Sequence, residues 1–222
     1  MAPKKEENVY LFIPNLIGYV RIIAGILSFY FSRSCGLFWA FYFISYFLDC
    51  IDGFAARYFG QATRFGQMLD MVTDRCCSAC LFLVLGSLYP SHEFTFNMLL
   101  ALDMASHYAR VYSQLLGGVS SHKKVDEDEV WLLRIYYGSQ KVLFAFCLLN
   151  ESFFVILYVL AFSDAESPEF AAKLRWLFAP LCWYVCAPGM ALKQVCNLLQ
   201  LMSACSRIAA FDVAARSQGK AG

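Results

Sequence analysis

The sequence predicts an all-α polytopic membrane protein with six transmembrane helices, on three observations. Hydrophobic residues make up 59% of the 222 residues and charged residues only 16%, with a mean hydropathy of +0.52; these values lie outside the ordinary soluble range. A membrane span needs about 20 largely apolar residues. Six runs of that order can be placed: Val9 to Phe31, Leu37 to Phe59, Gln67 to Tyr89, Phe94 to Leu116, Val142 to Phe162 and Leu174 to Cys205. Finally, Asp49, Asp52, Asp70 and Asp74 fall inside the second and third runs. An intramembrane carboxylate costs about 2.5 to 3.5 kcal/mol on insertion scales, so all four need neutralising partners.

In chain order, residues 1–8 form a charged N-terminal segment on the cytoplasmic side. The first run is interrupted by Pro14 and Asn15, so it does not read as a cleaved signal peptide, and it carries a charge at Arg21. An arginine at that depth is either functional or the partner of one of the aspartates. Between the fourth and fifth runs, GGVSSHKKVDEDEVW reads as a solvated loop. Pro180, Pro188 and Gly189 predict a kink or break in the sixth run. Residues 206–222 form a cytoplasmic tail with Ile208, Phe211 and Ala215 on one helical side, the pattern of an interfacial helix. The expected organisation is therefore 1–8, a six-helix membrane domain at 9–205, and the tail 206–222.

Positive charges orient the chain. With the N-terminus cytoplasmic, that side collects Lys4, Lys5, Arg57, Arg64, Lys123, Lys124, Arg134, Arg207, Arg216 and Lys220, against Arg33, Lys173 and Arg175 opposite. The positive-inside rule then puts both termini, and the turn between the second and third spans, in the cytoplasm. Net charge is only +1 and no basic, aromatic-interleaved patch occurs, which argues against a nucleic-acid partner. The 10 cysteines sit within apolar runs and read as small packing residues.

The chemistry concentrates in Leu48 to Arg75, LDCIDGFAARYFGQATRFGQMLDMVTDR. Asp49, Asp52, Gly53 and Ala56 share one helical face at i, i+3, i+4, i+7, and Asp70 and Asp74 share another at i, i+4. Four carboxylates without His or Cys suit two hard divalent cations, Mg²⁺ or Mn²⁺, better than zinc. Gly53 allows close approach to the backbone, and Arg57 carries a fork that fits phosphate oxygens. Metals beside an arginine suggest a diphosphate ligand.

At fixed spacing, Asp49, Asp52, Gly53, Ala56, Arg57, Gly66, Asp70 and Asp74 match the signature of the CDP-alcohol phosphatidyltransferases, which the chain resembles from about Tyr10 to Asp212. PNLIGYVRI from Pro14, LDMVTDR from Leu69, SHK from Ser121 and LRIYY from Leu133 are similar to the phosphatidylinositol synthases of eukaryotes within that family. The resemblance implies the family's fold, transfer of the phosphatidyl group of CDP-diacylglycerol to myo-inositol, release of CMP, and a homodimer in the endoplasmic reticulum. It also implies roles: Asp49 and Asp70 bridging two metals, Asp52 a ligand of the first, Asp74 a ligand of the second and the general base. Gly53, Arg57 and Thr63 fall where the family binds CDP-diacylglycerol, although a turn hydroxyl such as Thr63 is also a natural local cap. Ala56 and Gly66 permit close helix packing.

For the acceptor, a polyol needs several donors and acceptors. The fourth and fifth spans and their loop offer Asp103, His107, Arg110, Lys123, Arg134 and Lys141; His107, Lys123, Arg134 and Lys141 are the inositol candidates, with an Asp103–His107 hydrogen bond the competing explanation for that pair. The aspartate motif alone would equally serve a same-fold enzyme using glycerol 3-phosphate or serine. A divalent-cation or proton transporter is the alternative from another class.

Overall fold

A computed structural model of the chain describes residues 8–116, 130–163 and 168–219. These residues are almost wholly helical, with no strand among them: α1 (Ile13–Tyr30), α2 (Cys35–Tyr58), α3 (Arg64–Leu88), α4 (Glu93–Leu116), α5 (Trp131–Gly138), α6 (Gln140–Ser163), α7 (Pro168–Pro180) and α8 (Ala187–Gly219). Five stretches are long and apolar enough to cross a membrane: α1, α2, α3, Gln140–Phe162, and the composite Glu169–Ser217. The protein is an integral membrane protein. Of the six expected spans, the fourth forms a helix of full length, 24 residues in α4, but is not among those five. Asp103, His107 and Arg110 dilute its apolar content.

Chain contacts group into two units, residues 1–84 and 85–222. In the first, the leading helix starts at Ile13 rather than Val9, because Val9–Leu11 forms a separate 3₁₀ turn capped by the Asn8 side chain. Pro14 does not interrupt the helix, since it lies in the first turn, where no intrahelical N–H bond is required. Helix α1 buries Pro14, Asn15, Gly18, Arg21, Ala24, Gly25 and Ser28 and exposes Val20, Ile23 and Ile26. Small and polar residues inside with aliphatic residues outside is the reverse of a soluble helix, and it is what lipid on the outer face requires.

The small residues let helices approach. A Cβ on Gly18 would stand 3.0 Å from Leu69 Cδ2, and one on Gly25 3.2 Å from Cys77 Sγ, both on α3. Successive contacts of Asn15 with Gly66, Gly18 with Leu69, and Gly25 with Cys77 advance together along both helices, so α1 and α3 run parallel. Helix α2 returns antiparallel to α1. Phe29 meets Phe38 and Tyr42 at one end, and the Ser45 hydroxyl donates to Arg21 O further along.

In the second unit, α8 is the central element, packing on α4, α5 and α6. The break expected near Pro180 takes a specific form. Residues Leu181–Cys186 are π-helical and connect α7 to α8 without ending the helix. Proline removes one N–H and crowds the preceding carbonyl, and a wider turn absorbs both. A Cβ on Gly189 would lie 2.6 Å from Leu149 Cβ, which makes α6 and α8 a close pair. Helix α8 runs unbroken through Cys205 into the tail stretch as far as Gly219.

Candidate active site

The site is assembled by helix periodicity. One turn of α2 brings Asp49 and Asp52 to one face, and one turn of α3 does the same for Asp70 and Asp74. The two faces converge: Asp49, Asp70 and Asp74 each offer an oxygen within 4.8 Å of the others, a group able to hold a metal ion. The donors are carboxylate oxygens alone, which fits a hard divalent cation.

Arg21 of α1 lies at the centre of the cluster. Its Nη1 donates to Asp52 Oδ2 at 2.6 Å and to Asp70 Oδ1 at 2.7 Å. Its Nη2 donates to Asp74 Oδ1 at 2.8 Å and pairs with Asp49 Oδ1. One guanidinium thus serves all four carboxylates, and each keeps a second oxygen. Arg75 Nη2 stands further off, 3.9 Å from Asp74 Oδ2. The Arg21 side chain is 3% exposed, while those of Asp49, Asp70 and Asp74 keep 33%, 48% and 38% of their exposure. The cation is sealed and the acids are open on one side, so a ligand meets the carboxylates first. Asp52, at 11%, is the most enclosed of the four.

The neighbouring positions support this face. A Cβ on Gly53 would come 3.6 Å from Arg57 Nη1, an ordinary contact, so the arginine head lies against the Gly53 backbone. Arg57 is exposed and makes no ion pair among the described residues. Thr63 caps α3: its Oγ1 accepts from Gly66 N at 3.0 Å, which leaves the hydroxyl proton available to a ligand. Gly66 is required by Asn15, whose Oδ1 would lie 2.9 Å from a Cβ there. Asn15 is 1% exposed and tied to Val9 O at 2.6 Å. Gln61, in the turn after the left-handed Gly60, accepts from Ile13 N at 3.0 Å, so the α2–α3 turn is pinned to the start of α1.

The acceptor candidates are not gathered in the same way. His107 is half-buried, with Nδ1 2.8 Å from Asp103 O and 3.6 Å from Asp103 Oδ1. Arg134 and Lys141 are exposed, on α5 and at the start of α6, and no hydrogen bond or ion pair joins them to His107. Arg110 stacks 3.8 Å above the Tyr137 ring. Lys123 lies outside the described residues, as do Lys4, Lys5, Lys124 and Lys220. Sequence reading missed a buried polar stripe on α8, formed by Lys193, Asn197 and Gln200. Asn197 Nδ2 reaches Asp103 Oδ1 at 3.4 Å, Lys193 Nζ donates to Asn197 Oδ1 at 2.6 Å, and Gln200 Nε2 donates to Ser106 O at 3.0 Å. The i, i+4, i+7 spacing of polar residues in an apolar run was the available signal.

Comparison with known proteins bears on this geometry. A family model described as CDP-alcohol phosphatidyltransferase matches residues 11–185, a span that contains Arg21 and all four aspartates. The chain belongs to the CDP-alcohol phosphatidyltransferase family. Members of the family generally use a divalent metal, in keeping with the oxygen-only cluster. The chain is 44% identical over 216 residues to the human CDP-diacylglycerol–inositol 3-phosphatidyltransferase, covering 97% of this chain and 99% of the relative. It is 42% identical over 232 residues to the enzyme of that name from Schizosaccharomyces pombe, covering 98% and 97%. With CDP-diacylglycerol–inositol 3-phosphatidyltransferase 1 of Arabidopsis thaliana the identity is 38% over 219 residues, covering 95% of each. No solved structure gives a significant match to this phosphatidyltransferase.

Proposed function

We propose that the chain is a phosphatidylinositol synthase that transfers the phosphatidyl group of CDP-diacylglycerol to myo-inositol and releases CMP. The observation that carries this is the convergence of Asp49, Asp52, Asp70 and Asp74 on one cationic fork, in a chain matched over nearly its whole length by relatives bearing that name.

The residues divide the work. Asp49, Asp52, Asp70 and Asp74 would hold Mg²⁺ or Mn²⁺, which would supply charge neutralisation and Lewis acidity to the diphosphate. Arg57, exposed beside Gly53, takes the diphosphate oxygens through its fork, and the Thr63 hydroxyl adds a donor. The inositol hydroxyl oxygen bonds to the phosphatidyl phosphorus as the bond to CMP breaks. The hydroxyl proton passes to Asp74, whose Oδ1 is held by Arg21 at 2.8 Å. Among His107, Lys123, Arg134 and Lys141 we assign the acceptor contacts. The catalytic domain is residues 9–205, and the enzyme works as a homodimer in the endoplasmic reticulum with the aspartates at the cytoplasmic face, where CMP can leave into water.

Protein in detergent, given CDP-diacylglycerol and one acceptor at a time, tests the assignment. CMP release is expected with myo-inositol, lost on chelation and restored by Mg²⁺ or Mn²⁺. Release with serine or glycerol 3-phosphate and none with inositol refutes the choice of acceptor.

A further inference from the structure

The fork of Arg21 raises a problem of charge that the transfer reaction alone does not explain. Four carboxylates against one buried guanidinium leave a net charge of −3 on groups in direct contact. Arg75, 3.9 Å from Asp74, offsets it further. Two divalent cations would therefore overshoot neutrality by one positive charge or more, beside a guanidinium that is itself sealed from water. An incoming diphosphate diester, with two negative charges, removes the excess. Without Arg21, the same four carboxylates would be neutralised by two divalent cations before any substrate arrived.

We infer that Arg21 makes the divalent-cation load of the aspartate cluster depend on the nucleotide diphosphate. Three features of the geometry support this. The Arg21 head is enclosed, because its side chain is 3% exposed and both terminal nitrogens are engaged by carboxylates. It takes one oxygen of each carboxylate, so it is a neighbour of any cation bound through the others rather than a distant charge. Its Nε is buried without a hydrogen-bond partner, so the head is held from the carboxylate side alone. A purely structural counter-ion would need to match only one or two acids. Arg21 touches all four, and its positive charge opposes each added cation at short range. It is a positioning residue, acting on the substrate through the acids and the cations they hold.

The inference rests on the proposed diphosphate chemistry, and its test does not require turnover. Mn²⁺ binding to the full chain in detergent, followed by the electron paramagnetic resonance of free Mn²⁺, is measured with and without CDP, which supplies the nucleoside diphosphate without the lipid. Wild-type protein is expected to bind Mn²⁺ at least tenfold more tightly when CDP is present, after correction for Mn²⁺–CDP pairing in solution. Arg21→Met is expected to bind Mn²⁺ at least tenfold more tightly than wild type without CDP, and to lose at least four-fifths of the CDP effect. Arg21→Lys keeps the charge and should stay within threefold of wild type. If the Met variant is recovered only poorly, Arg21→Gln, which is neutral but retains two donors, makes the same comparison. Neutral variants that bind Mn²⁺ no more tightly than wild type, or a wild-type affinity indifferent to CDP, overturn the inference. Mn²⁺ coupling to CDP without inositol transfer would leave it standing and overturn the acceptor assignment instead; no Mn²⁺ binding by wild type would overturn both.

Discussion

Replacing Gly66 by alanine tests the most constrained contact beneath the site. A Cβ there would lie 2.9 Å from Asn15 Oδ1 and 3.3 Å from Thr63 Oγ1. Neither neighbour gives way freely: Asn15 is 1% exposed with its amide bonded to Val9 O at 2.6 Å, and Thr63 caps the helix through Gly66 N. Overpacking of this kind costs about 1–3 kcal/mol. Removing a glycine from the unfolded chain returns about 0.4–1 kcal/mol. Gly36, in the first turn of α2, separates the two terms, because a Cβ there meets nothing within 4 Å. Gly36→Ala should therefore match or exceed wild-type stability, and the gap between the two variants should equal the overpacking term. For a chain of this length that is a difference in thermal midpoint of about 2–12 °C, at about 2–4 °C per kcal/mol. Thermal unfolding in detergent, with CMP release measured on the same samples, reads both stability and site geometry. A Gly66→Ala protein as stable as Gly36→Ala would refute the close α1–α3 approach.

Three further outcomes are expected. Asp74→Asn keeps an oxygen for Arg21 but loses the base, so CMP release should fall at least about 100-fold while elution from size exclusion stays that of wild type; near-normal turnover would remove Asp74 from that role. Arg57→Lys replaces a two-pronged donor by a point charge, so the KM for CDP-diacylglycerol should rise severalfold with the thermal midpoint unchanged, whereas an unaltered KM would place the diphosphate elsewhere. Gly189→Ala drives a Cβ to 2.6 Å from Leu149 Cβ and should lower the thermal midpoint, and adding Leu149→Ala should recover part of the loss; additive effects in the double variant would show that the two residues do not meet.

The aspartate motif was legible because its meaning is local. Asp49 with Asp52, and Asp70 with Asp74, are each one helical turn apart, so period and composition alone put them on common faces. The disturbance expected near Pro180 was legible for the same reason, although it is a π-helical turn joining α7 to α8 and not a break. Helix α4 was placed as a span and is helical throughout, but Asp103, His107 and Arg110 lower its apolar content; Asp103 is met by Asn197 of α8 and Arg110 lies over Tyr137 of α5. Thr63 carries both readings that its place in the turn allowed. Its spacing suits a ligand contact, and its geometry supplies a helix cap as well.

By itself the sequence determined the helical membrane class, the carboxylate set and the family, because each depends on composition or on spacings within a turn or two. Only the tertiary structure decided that Arg21, 28 residues before Asp49 and 53 before Asp74, meets all four acids at once. That choice lay among several partners the sequence left equal, and it was settled by Gly18, Gly25 and Gly66, whose missing side chains let α1 come close enough to α3 for one guanidinium to reach two helices. The same holds for Asn197 and Asp103, 94 residues apart on α8 and α4. A polar group in lipid must find a partner, but which one depends on which helices the small residues allow to touch.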